Sequence, residues 1–139
     1  MNKRTYSLKI LLVVFLITIS NLNLLAQETK PTELSEFLVS VETTDHKEIK
    51  LKCTEGCAWK TLTFNLSDMN SIQAIDEFGM TNKNDENKKD ENLSDFLITM
   101  QRTDNGLIFK GLNGTAWTDL RFSLKPNSPQ LIDEMGMTD

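Results

Sequence analysis

The chain has 139 residues, with 15 basic against 20 acidic side chains and a net charge of −5 at pH 7. An acidic surface repels phosphate backbones and anionic headgroups, which argues against nucleic-acid binding and polybasic membrane attachment. A chain of this length builds one modest core, and two cysteines and one histidine leave little material for metal or nucleophile chemistry.

Residues 1–26 read as a secretory signal. Lys3, Arg4 and Lys9 form a positive start, Ile10 to Ile19 an apolar core, and Leu24-Leu25-Ala26 a cleavage site before Gln27. The apolar run is shorter than the roughly 20 residues that span a bilayer. Removing the signal leaves 12 basic residues against 20 acidic, a net charge of −8. The expected location is the periplasm or outside the cell, with no membrane attachment after cleavage. The Leu-Ala-Gln junction and the Lys- and Asn-rich composition resemble short exported proteins of Gram-negative bacteria.

After a short linker (27–33), one pattern is written twice, over residues 34–81 and 93–139. Leu34-Ser35-Glu36-Phe37-Leu38 matches Leu93-Ser94-Asp95-Phe96-Leu97, and Gly56-Cys57-Ala58-Trp59 matches Gly114-Thr115-Ala116-Trp117. Leu62, Phe64 and Leu66 match Leu120, Phe122 and Leu124. Gln73, Ile75-Asp76-Glu77 and Gly79-Met80-Thr81 match Gln130, Ile132-Asp133-Glu134 and Gly136-Met137-Thr138. An ordered series of this kind is the signature of an internal repeat.

Each copy opens with strand periodicity: Phe37, Val39 and Val41 alternate with polar positions, as do Phe96, Ile98 and Met100. Turns follow at Asp45-His46-Lys47 and Asp104-Asn105-Gly106, the latter a hairpin signal because Asn and Gly tolerate positive φ. A second strand carries Ile49 and Leu51, or Leu107 and Phe109. A Gly-containing loop then delivers Trp59 or Trp117, and a third strand aligns Leu62, Phe64 and Leu66 or their equivalents. The closing segment, Ser71 to Gly79, reads as a fourth strand. In the second copy Ser128-Pro129 and Gly136 also suit the ends of a short helix, and strand is the expectation for both. Between the copies, residues 82–92 contain no apolar side chain and form a solvated connector.

The expected fold class is therefore all-β and mainly antiparallel, with two homologous meander units of three or four strands packed as a pseudo-twofold sandwich or barrel. One such unit hardly covers its own apolar face.

Candidate chemistry is sparse. Cys53 and Cys57 are expected to form a disulfide staple in an oxidising compartment. Their equivalents, Gly111 and Thr115, show that the loop does not require a thiol pair. His46 is the sole histidine, so Ser–His and Cys–His arrangements and most zinc sites are absent. The connector lacks the glycine and terminal Glu of a calcium loop. Asp76-Glu77 and Asp133-Glu134 admit one catalytic reading, a hydrolase pairing Asp76 with Asp133 across the twofold. Such chemistry needs two carboxyl groups about 5 to 9.5 Å apart. Trp59 and Trp117 are candidates for a binding surface, against the alternative that each indole plugs a core. The functional expectation is a non-enzymatic interaction or structural module with a protein or glycan partner, no catalytic residue, no metal and no cofactor. The alternatives are the carboxylate hydrolase and a small-ligand binder with its site between the two copies.

Overall fold

The computed structural model describes residues 33–44, 48–66, 68–84 and 89–139. The segment expected to be a signal, most of the expected linker before Glu33, the turn expected around His46 and residues 85–88 lie outside these residues.

Alternation of apolar and polar side chains yields ten strands. They are β1 (Leu38–Thr43), β2 (Ile49–Glu55), β3 (Thr61–Phe64), β4 (Ile72–Asp76), β5 (Gly79–Thr81), β6 (Leu97–Arg102), β7 (Leu107–Asn113), β8 (Asp119–Phe122), β9 (Gln130–Asp133) and β10 (Gly136–Thr138). They form two antiparallel five-stranded sheets, ordered β10-β9-β1-β2-β3 and β5-β4-β6-β7-β8. The fold is an all-β sandwich. The closing segments are strands, as expected, but each is a two-stranded hairpin (β4–β5 and β9–β10).

These hairpins do not stay with their own half. β9 pairs with β1, placing Ile132 opposite Val39 and Asp133 opposite Leu38. β4 pairs with β6, placing Ile75 opposite Ile98 and Asp76 opposite Leu97. The two registers use equivalent residues. Each half thus lends its last two strands to the sheet begun by the other, so neither half is a self-contained meander. The physical reason is that β1 and β6 each have one side free after pairing with β2 and β7, and a hairpin supplies the missing hydrogen bonds.

Strand alternation then sends one face of both sheets inward. Val39, Val41, Ile49, Leu51 and Ile132 from one sheet meet Ile75, Ile98, Met100, Leu107 and Phe109 from the other in a single buried cluster. Phe37 and Phe96, just ahead of the central strands, stack with ring centroids 4.4 Å apart. Full burial of each large apolar side chain contributes about 1.5–3 kcal/mol, against about 1 kcal/mol for a typical hydrogen bond. The core therefore supplies most of the stability, and the polar contacts described below select the arrangement.

The expected hairpin turn at Asp104 to Gly106 is present, closed by Thr103 N–H donating to the Gly106 carbonyl at 2.9 Å. Neither Asn105 nor Gly106 adopts positive φ. Gly106 is required for a different reason, since a Cβ there would collide with the Phe122 carbonyl and Ser123 Cα.

Interlocked halves make a specific prediction. After cleavage at a protease site placed within residues 85–88 of the full chain, the two pieces should co-elute and unfold together. Residues 93–139 expressed alone should lose the slow amide exchange of β6 and β7. Undiminished protection in that fragment would refute the interlock.

Candidate functional site

The polar and indole groups of the repeated segments meet backbone partners in the structure. The loop after β2 brings the Ala58 N–H to the Glu77 carbonyl at 2.8 Å and the Trp59 indole Nε1–H to the Asp76 carbonyl at 2.9 Å. In the second half Ala116 donates to the Glu134 carbonyl at 2.7 Å and Trp117 Nε1 to the Asp133 carbonyl at 2.9 Å. Loop and acceptor belong to one half but to opposite sheets. Each Gly-x-Ala-Trp loop is therefore a clamp across the sandwich.

The acidic pairs serve the same end. Asp76 Oδ1 accepts from the N–H groups of Phe78 and Gly79 at 2.8 and 3.0 Å. Asp133 Oδ1 accepts from Met135 and Gly136, both at 2.8 Å. These are Asx-type turns, and Gly79 and Gly136, at φ 131° and 140°, complete them in a region L side chains rarely enter. Gln73 and Gln130 each bond through Nε2 to the carbonyl of Thr81 or Thr138, tying the two strands of each hairpin.

The adjacent glutamates reach the other half. Glu134 Oε2 accepts from the Phe37 N–H at 3.3 Å, and the Phe96 N–H likewise bonds the Glu77 carboxyl. Burial pushes the Glu77 carboxyl above its usual 4.5, and neighbouring Asp76 and Asp95 add to the rise, against the backbone N–H groups of Glu77 and Phe96 that lower it. Asp76 and Glu77 are both buried. In this arrangement the aspartates hold turns and the glutamates cap strand starts.

Trp59 and Trp117 are each only 9% exposed. Both indoles belong to the buried cluster and their N–H groups are bonded to carbonyls, so little of either side chain faces outward. Cys53 and Cys57 form a disulfide with Cα atoms 6.2 Å apart. At the equivalent place Thr115 Oγ1 donates to the Trp117 carbonyl at 2.8 Å, and both loops share a further bond, Cys53 N–H to Lys60 or Gly111 N–H to Thr118. Among the described residues no group of three His, Cys, Asp or Glu side chains is arranged to hold a metal.

Among the described residues the opposite end is concave. A cleft of about 620 Å³ lies between the halves, lined by Thr43, Thr44 and Ile49 from the first and by residues 102–107, Ser123, Leu124 and Pro126 from the second. The segment after β8 forms one wall, anchored by the Asn127 N–H on the Thr43 carbonyl at 3.2 Å. The Thr44 hydroxyl is covered and has no hydrogen-bond partner among the described residues. Sequence reasoning missed this site because its residues come from separate segments and share no motif.

Two measurements test these assignments. Trp59→Phe and Trp117→Phe should each cost about 1–3 kcal/mol in urea unfolding, because each leaves a carbonyl without its donor. Near-zero costs would remove the clamp. For Glu77, a raised folded-state pKa means the fold binds the proton more tightly than the unfolded chain, so its contribution is full below about pH 4.5 and falls as pH rises through the folded value. The Tm of Glu77→Gln should therefore gain on that of the unmodified protein between pH 4 and pH 7. A constant difference would contradict the assigned cause.

Comparison with known proteins gives no relative: no protein-family model, no curated protein and no solved structure matches the chain.

Proposed function

We propose that the chain is an exported, non-catalytic recognition module that works in an oxidising compartment and engages a protein or glycan partner. The observation that carries this reading is the employment of the repeated polar residues. Asp76 and Asp133 hold the hairpin turns, Trp59 and Trp117 bond carbonyls of the opposite sheet, and Glu77 and Glu134 accept from backbone N–H groups of the other half. These structural tasks account for the recurrence of the carboxylates in both halves without a catalytic role. The disulfide supports an oxidising environment. The cleft between the halves favours a small-ligand binder as the specific form of this reading, with its site away from the tryptophans.

Expressed from the complete sequence in a Gram-negative host, the protein should appear in the osmotic-shock fraction, start at Gln27 and contain no free thiol. Retention in the cytoplasm with residues 1–26 attached would overturn the export reading. Turnover of a peptide or glycan that disappears in Asp76→Asn or Asp133→Asn would overturn the non-catalytic one.

A further inference from the structure

We propose that the cleft binds an uncharged, hydroxyl-bearing small molecule of about monosaccharide to disaccharide size. This rests on the recognition reading and specifies its ligand. Three features of the lining support it. First, the polar groups are mostly ones that both donate and accept: the hydroxyls of Thr43, Thr44, Thr103 and Ser123 and the amide of Asn105. An anion offers acceptors only and a cation donors only, whereas a ligand hydroxyl matches such groups in either sense. Second, Arg102 and Asp104 line the same cleft with opposite charges, so the charges of its described lining balance.

Third, Leu124 and Pro126 supply an aliphatic surface over the buried Ile49 and Leu107, which suits the C–H face of a ring. An adjoining hollow of about 430 Å³ shares Thr103, Asn105, Gly106, Leu107 and Ser123 and extends to Arg121 and Phe122. The turn at 104–106 thus has concave surface on both sides. The volumes fall in the range of about 300–1,000 Å³ typical of small-molecule sites. The Thr44 hydroxyl, without a partner among the described residues, leaves one hydrogen bond for an occupant to complete, reached by rotation about its Cα–Cβ bond.

The test is a titration of the ¹⁵N-labelled protein from Gln27 to Asp139, followed by amide shifts. The probes are glucose, galactose, mannose and N-acetylglucosamine, with sodium acetate and sodium phosphate as ionic controls. At least one sugar should move the amides of Thr43, Thr44, Thr103, Asn105 and Ser123 together, saturating with an affinity on the order of 1 mM. Thr44→Val and Asn105→Ala should each weaken that binding roughly fivefold. Neither change should lower the Tm, since Thr44 loses no bond and Asn105 is exposed. Movement of these amides by acetate or phosphate alone would overturn the uncharged class while leaving a ligand site. No movement with any probe would overturn the proposal, whereas the non-catalytic reading stands or falls on the turnover assay.

Discussion

The crossing of the two closing hairpins is the constraint from which the rest of the architecture follows. Because β9–β10 completes the sheet begun by β1, and β4–β5 the sheet begun by β6, burying either apolar face requires both halves to be in place. A sandwich assembled this way forms its long-range pairings all at once. The backbone is tight where the halves meet: Gly56, at φ 81°, sits where a Cβ would strike the Glu36 carbonyl of its own half and the Ser94 hydroxyl of the other, and Gly114, at φ 69°, where it would strike Asp95 and Phe96 just ahead of β6.

The clamp and the caps are individually small beside the core. Their importance is in choice of register. A strand slipped by one residue would send Val39 and Ile132 outward together. It would also pull the Trp59 and Trp117 indoles from their carbonyls and the Glu77 and Glu134 carboxyls from the phenylalanine amides. Directional bonds at one end therefore penalise each wrong pairing that hydrophobic contact alone would tolerate.

Much of this was legible from alternation. Phe37, Val39 and Val41, and Phe96, Ile98 and Met100, point inward as their spacing demands, and the third strands bury Leu62, Phe64, Leu120 and Phe122 partly, as expected of edges. The crossing was not legible, for a definite reason. When both copies carry Gln-x-Ile-Asp-Glu, pairing of that segment with its own first strand and with the other copy's first strand are written in the same letters. The hairpin inside each closing segment was readable in principle, since Asp76 followed three residues later by Gly79 is the chemistry of a tight turn. The short apolar run around it masked that signal. The end cleft had no sequence counterpart at all, because Thr44 and Asn105 become neighbours of one space only after two distant hairpins are brought side by side.

The connector bears on how many chains share one sandwich. It must carry the backbone from β5 past β4 to the start of β6, two inter-strand spacings of about 5 Å each plus a few residues along the strand. Eleven residues reach up to about 36 Å. With that slack, a half meets its own companion at an effective local concentration in the millimolar range, and intrachain closure wins over exchange with a neighbouring molecule. Trimming the tether to three or four residues would reverse the preference. The same interlocking contacts would then join reciprocal halves of two molecules, so tether length governs whether the interlock closes within one chain or between two.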